Sequence, residues 1–299
     1  MSTLRRLAWR AWEPLSGAAG RAYVAGPSAR DAVRAGRALR ARGQLVTIGL
    51  WDAPGDSRDD VAAQCSEAAS LLDPGLGFHL ALKPPALEFD ADRLGRLAAT
   101  AARAGSTVHL DAHQVPHADR TLALASRLQR VARVRVALPA RWRRSIGDAD
   151  RVVEEGAQAR IVKGEWPDPG DPGRDPRDGF LELVDHLAGR AATVAVATHD
   201  APLAAEALRR LRAAGTPAEL ELLLGLPSDR PLAAARELGV PVRVYVPFGR
   251  PFTPYTLSEL RNDRRVLLWL AHDAWRGARR PPHARRRPAA DLTTGTSGW

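Results

Sequence analysis

Of the 44 basic residues in this 299-residue chain, only two are lysine, Lys83 and Lys163. Arginine occupies almost every position where either cation would serve, so the two exceptions mark places a guanidinium does not fill. Lysine is a compact point charge whose pKa moves on burial, which suits it to an anion contact or to orienting a carboxylate. Both lysines close apolar segments, His79-Leu80-Ala81-Leu82-Lys83 and Arg160-Ile161-Val162-Lys163. The second runs directly into Gly164-Glu165-Trp166, so Arg160 to Trp166 reads as a buried parallel strand that opens into a site. A core strand with an ordinary polar end is the alternative.

Such groups need a scaffold, and the chain supplies one rhythm throughout. Strand-like runs fall at 44–51, 79–84, 107–112, 133–138, 160–166, 193–198, 219–224 and 242–246. Helical patterns follow each, at about 59–72, 92–104, 117–129, 148–156, 178–189, 201–214, 231–238 and 254–275. Eight strand-helix units with short connections predict a closed parallel (βα)8 barrel of the α/β class over residues 44–275. An open doubly wound sheet would need two edge strands with a polar face, and the strand runs read as lacking one. No Gly-x-Gly-x-x-Gly turn follows any strand. Ahead of the barrel, residues 1–43 read as extra N-terminal helices: one or two short ones over 1–24, with Trp9, Trp12 and Leu15 on one face, then a helix from about 30 to 42 capped by Ser28. Residues 276–299 read as a disordered basic tail rich in Pro, Gly and Thr.

Charge and composition narrow the function. The net charge is +10, and the tail, with six arginines against one aspartate, carries half of it. The remaining +5 is spread over many helices, a solvated-surface pattern that excludes a nucleic-acid stripe. No apolar run is long enough to span a membrane and the N-terminus does not read as a cleavable signal, so a cytoplasmic protein is expected. A single cysteine, Cys65, excludes an internal disulfide and reads as a small core residue.

In a barrel the chemistry sits at the C-terminal strand ends. Those ends read Trp51-Asp52, Lys83-Pro84-Pro85, Asp111-Ala112-His113, Leu138-Pro139, Lys163-Gly164-Glu165-Trp166, Thr198-His199-Asp200, Glu221 to Gly225 and Pro247-Phe248-Gly249. Asp111, His113, His199 and Asp200 could ligate a metal, but neighbouring lysines would compete with the cation, and no metal site is expected. A Ser-His-Asp nucleophile lacks a serine on a sharp turn. Lys83, fixed by two following prolines, could bind an anionic substrate or orient Asp111. His199 fits either a satisfied structural histidine or a donor to a phosphate or ring oxygen.

These strand ends resemble those of flavin-dependent proline dehydrogenase, a (βα)8 family that oxidises L-proline to Δ1-pyrroline-5-carboxylate. Arg160-Ile161-Val162-Lys163-Gly164 followed by an aromatic resembles the family's Arg-Leu-Val-Lys-Gly-Ala-Tyr, and Ala197-Thr198-His199-Asp200 its Ala-Thr-His-Asn. Glu219 to Gly225 is similar to Glu-Phe-Gln-Met-Leu-Tyr-Gly, and Val242 to Gly249, with Tyr255 six positions on, resembles the eighth strand and the start of the last helix. The resemblance implies FAD as cofactor, with Arg160, Val162, Lys163, Gly164, Thr198, His199, Asp200 and Glu221 on the flavin side. It places Lys83, Asp111, Trp166, Tyr255 and Glu259 on the substrate side. The implied reaction is hydride transfer from a carbon next to an amine nitrogen to the flavin, with a quinone or another acceptor taking the electrons.

The chain departs from the family in the last helix. The family's Tyr-x-x-Arg-Arg-x-x-Glu, whose arginines grip proline's carboxylate, is here Tyr255-Thr256-Leu257-Ser258-Glu259-Leu260-Arg261-Asn262. Bidentate carboxylate recognition cannot come from Ser258 and Glu259. Val136 and Glu221 stand where the family has glutamines, Trp166 replaces its tyrosine, and Pro167 stands where it often has tryptophan. Three readings follow: a small cyclic or secondary amine as substrate, with Glu259 or Glu165 pairing its nitrogen; proline itself, with Arg261 or Arg264 standing in; or a non-catalytic barrel that binds a ligand or partner.

Overall fold

A computed structural model describes residues 23–52, 55–111 and 114–250. The expected helices before residue 23, the last helix with Tyr255 and Glu259, the basic tail and His113 lie outside the described residues. Eight strands form a closed, all-parallel barrel in sequential order: β1 (Leu45–Trp51), β2 (His79–Leu82), β3 (Thr107–Leu110), β4 (Arg133–Pro139), β5 (Gln158–Val162), β6 (Val194–Ala197), β7 (Ala218–Leu223) and β8 (Val242–Gly249), which pairs back to β1. Eight α-helices are described: α1 (Ala29–Arg40), α2 (Arg58–Ser70), α3 (Ala91–Arg103), α4 (Ala118–Leu128), α5 (Ser145–Glu154), α6 (Pro176–Leu187), α7 (Ala201–Ala213) and α8 (Asp229–Glu237). None is long and apolar enough to cross a membrane.

Five of the eight described helices start at a side-chain cap. Ser28, Ser57, Asp90, Asp175 and Asp200 each accept a hydrogen bond from an amide in the first turn, satisfying donors the helix itself cannot pair. α1 precedes β1 yet packs on both β1 and β8 through Ala29, Ala32 and Val33, so it covers the seam where the barrel closes. Between strands and helices lies the main apolar core, built from outward-facing residues such as Ile48, Leu80, Leu110, Ile161, Val196 and Leu220 against helix residues such as Leu94, Leu122, Phe180 and Leu208.

The barrel interior is different. Following the strand registers and allowing the one-residue offset per strand of an eight-stranded barrel puts the inward residues in stacked layers of four. From the N-terminal end upward, the first is Leu45, Thr107, Gln158 and Glu219, and the second is His79, Arg135, Ala195 and Arg243. The third is Thr47, His109, Arg160 and Glu221, and the fourth is Ala81, Ala137, Ala197 and Tyr245. Gly49, Asp111, Val162 and Leu223 follow at the mouth. The expectation that no strand has a polar face is therefore corrected. β4, β7 and β8 alternate charged and apolar residues, and their polar faces line the interior rather than a sheet edge.

Charges buried this way must be paired. Glu219 is held by Arg243, with Nε 2.7 Å and NH2 3.1 Å from its oxygens, and by Arg135 from across the barrel. Arg135 also donates to Gln158 Oε1 at 2.8 and 3.1 Å, and Arg243 to the Val46 carbonyl at 2.9 Å. Three arginines (135, 160 and 243) meet three carboxylates (Asp111, Glu219 and Glu221), so the interior set sums to zero charge.

Some boundaries differ from the sequence reading. β5 begins two residues early, at Gln158, and ends at Val162 instead of continuing to Trp166, because Gly164 adopts φ +86° and turns the chain. α5 begins at Ser145, earlier than read, and the Ser145 hydroxyl donates to the Pro139 carbonyl at 2.7 Å.

Candidate functional site

The fourth interior layer contains three alanines, and that layer decides where a ligand can go. Above it the barrel opens into a well: Val162 is 9% and Ala137 8% exposed, and Ala197 is half-buried. At the foot of the well lies the Arg160 guanidinium, its side chain 12% exposed. Tyr245 closes the opposite side, its ring centre 5.6 Å from Arg160 Cζ. Gly49 is what admits that ring, since a Cβ there would overlap the tyrosine hydroxyl.

Arg160 is fixed by two carboxylates. Its Nε donates to Glu221 Oε1 at 2.6 Å and its NH1 to Asp111 Oδ1 at 3.0 Å. Burial works against the guanidinium charge, but Glu221 and Asp111 outweigh it and raise the Arg160 pKa further. Burial, with Asp111 beside it, pushes the Tyr245 phenol well above its usual value, so it stays protonated. Beneath this set, His109 Nε2 and His79 Nδ1 share a hydrogen bond of 3.0 Å. His109 Nδ1 and Glu221 Oε2, 4.0 Å apart, and Thr47 Oγ1 have no hydrogen-bond partner among the described residues.

Ion pairs ring the mouth. Lys83 Nζ lies 2.8 Å from Asp52 Oδ1, so the lysine orients the carboxylate after β1 and not Asp111. Lys163 Nζ is 3.3 Å from Asp200 Oδ2, and Arg177 binds the same oxygen. Asp200 also caps α7 through the Leu203 amide at 3.2 Å. Burial opposes its ionisation, yet the Leu203 amide and the Lys163 and Arg177 charges prevail and lower its pKa. The Asp200 amide in turn donates to Thr198 Oγ1 at 3.2 Å.

Both ring nitrogens of His199 meet backbone groups. Its Nδ1 lies 3.0 Å from the Pro227 carbonyl and its Nε2 2.8 Å from the Leu223 amide, which must donate. Nδ1 therefore carries the proton, both nitrogens are engaged by the backbone, and the ring ties the end of β6 to the loop after β7. Trp166 is 44% exposed on the rim, where its carbonyl accepts from Trp142 Nε1 at 3.0 Å.

Of the expected site residues, Asp111, Arg160 and Glu221 come together at the foot of the well, Val162 forms its wall, and Lys163 and Asp200 pair above it. Gly164 makes the turn beside Pro139, to which a Cβ would approach within 3.0 Å. Asp52, Tyr245 and Arg177 were given no role by the sequence. Inward alternation along β8 points to Tyr245, whereas no pattern signals that Arg177 reaches Asp200. Among the described residues no three His, Cys, Asp or Glu side chains are arranged to hold a metal ion.

A closed parallel barrel with a polar well at the C-terminal ends of its strands is the architecture on which enzymes of this fold build active sites. No protein-family model and no curated protein matches the chain. Solved structures do. Proline utilization A (PutA) from Bdellovibrio bacteriovorus, inactivated by N-propargylglycine, matches with TM-score 0.68 at 16% identity, over 78% of this chain and 31% of that one. PutA from Corynebacterium freiburgense matches with TM-score 0.65 at 15% identity, over 92% and 33%. A bifunctional PutA gives 0.55 at 16%, over 69% and 26%. The chain thus spans about a third or less of the length of these proteins, and the likeness is one of fold.

Proposed function

We propose that this chain is a proline dehydrogenase-like flavoenzyme that oxidises the carbon next to the nitrogen of a small cyclic or secondary amine. The observation that carries the reading is the alanine-floored well ending on the edge of Arg160. It lies in a barrel of PutA-like fold, on the strand whose sequence resembles the proline dehydrogenase motif.

The residues present suit FAD. Arg160 uses Nε and NH1 on carboxylates and has five N–H donors in all, so it can still donate to a ring acceptor at the foot of the well. Val162 and Ala197 offer apolar walls, and the Thr198 hydroxyl can donate to a polyol. Lys163 and Arg177, two cations sharing one carboxylate and 38% and 43% exposed, supply a net positive rim suited to phosphate. Bound FAD would supply the hydride acceptor. The protein's part is to hold the amine beside it, keep Tyr245 neutral and screen the well from water.

The same geometry favours a substrate without a carboxylate. Lys83 is paired with Asp52, and Arg160 with two carboxylates, so neither has an uncompensated charge for a substrate carboxylate. The positions that carry the family's carboxylate-gripping arginines are Ser258 and Glu259, outside the described residues. We assign Glu259 and Tyr255 to the substrate side on the resemblance alone.

The test is direct. Purified full-length protein, with FAD added, should show bound-flavin absorption near about 450 nm. It should then bleach anaerobically with small cyclic amines faster than with L-proline. A colourless protein that takes up no FAD refutes the enzyme reading, and efficient turnover of L-proline refutes the substrate assignment.

A further inference from the structure

The set at the foot of the well carries more than a fold requires. Arg160 is the only cation at that depth among the described residues, and it is gripped on two sides, by Glu221 at 2.6 Å and Asp111 at 3.0 Å. By formal charge, the three side chains sum to one negative charge. The Arg160 edge therefore keeps its hydrogen-bond donors while losing the net positive field a lone guanidinium would project. The second Glu221 oxygen has no hydrogen-bond partner among the described residues, and the charge that balances the set, two arginines against Glu219, lies one layer deeper.

We propose that the Glu221-Arg160-Asp111 set lowers the electron affinity of a flavin bound in the well, holding it toward the oxidised state. The inference rests on the flavin reading above. A ring at the foot of the well meets a donor that can bind its neutral carbonyl or nitrogen acceptors. Two-electron reduction at neutral pH places negative charge on the ring, and a net negative neighbour in a low-dielectric interior disfavours that form. Glutamine at position 221, as in the resembling family, would keep an acceptor for Arg160 and remove one of the two negative charges.

The experiment uses the full chain loaded with FAD, comparing the parent with Glu221→Gln and Asp111→Asn. The readouts are the flavin midpoint potential, by equilibration with a reference dye, and the affinity for sulfite. Sulfite adds its electron pair to the oxidised ring and leaves a negative charge on it. Glu221→Gln should shift the oxidised-to-reduced ratio at least tenfold toward reduced, about 30 mV for a two-electron couple, and tighten sulfite binding by a similar factor. Asp111→Asn should move both in the same direction, and it decides the matter if Glu221→Gln does not fold. Unchanged or lowered potentials in a folded, flavin-loaded variant overturn this inference and leave the flavoenzyme reading standing. Failure of the parent chain to take up FAD overturns both.

Discussion

Arg243 holds Glu219 through two hydrogen bonds, Nε to Oε1 at 2.7 Å and NH2 to Oε2 at 3.1 Å, between neighbouring strands deep in the barrel. Arg135 reaches the same carboxylate from the far wall. Removing Glu219 would strand two arginines in the interior, so Glu219→Ala should cost about 3–5 kcal/mol in urea-unfolding free energy. Glu219→Gln, which keeps an acceptor, should cost less. Equal losses for the two would show that charge neutralisation is not what the residue supplies.

The same carboxylate predicts acid sensitivity. Burial opposes its ionisation, but Arg135 and Arg243 overcome this and hold its pKa at about 2, against 4.5 when unperturbed. The folded value is depressed, so the contribution, roughly 3 kcal/mol, is complete above pH 4.5 and is lost as pH falls toward 2. Glu219→Gln should remove that part of the pH dependence of stability.

Three histidines, His109 buried and His79 and His199 half-buried, act earlier in the same titration. Burial, then the Arg243 and Arg135 charges, depress His79 to about 2. Burial and Arg135 hold His109 well below its usual value, and burial lowers His199. The unfolded chain takes up these protons below about pH 6.5 while the folded chain does not, so stability falls with pH from there downward. Each histidine that differs between the two states adds up to about 1.4 kcal/mol per pH unit to the slope. His199 should remain neutral and protonated on Nδ1 at pH 6 in a nitrogen-detected NMR spectrum; an imidazolium signal would contradict its two backbone bonds.

Gly49→Ala should destabilise the protein by about 1–3 kcal/mol, because the new methyl overlaps the Tyr245 hydroxyl and lies within 2.8 Å of Cζ. Tyr245→Phe should recover part of the loss in the double variant. A thermal-denaturation cycle showing no coupling would mean the tyrosine does not occupy the space above Gly49.

Cys65 is 4% exposed in α2, and burial pushes its thiol up to about 12. It should react with Ellman's reagent at pH 8 only on unfolding, giving one thiol per chain in guanidinium and almost none before.

The barrel was legible because each strand presents a short apolar run to the helices, and the alternation with helical patterns leaves few topologies open. The interior was not. Arg133-Val134-Arg135-Val136, Glu219-Leu220-Glu221 and Val242-Arg243-Val244-Tyr245 display a two-residue period that announces a polar face, yet a charged inner face departs from the branched aliphatic layers usual in such barrels. Pairing was also out of reach of sequence. Lys83 pairs with Asp52 while Arg160 holds Asp111, a fact of four strand ends meeting in space. His199 reads as a structural brace or as a donor to a ligand, and only the Pro227 carbonyl and the Leu223 amide show what its two nitrogens hold.

α1 covers the seam between the first and last strands, and this has a consequence for synthesis. The helix is made among the first residues of the fold, but half of its docking surface, β8, leaves the ribosome some two hundred residues later. Until then Ala29, Ala32 and Val33 cannot be fully buried, nor can Arg243 meet Glu219. The wall and its charged filling are thus completed by one late event. A nascent chain stalled before Val242 should be susceptible to protease along α1, and one released after Gly249 resistant.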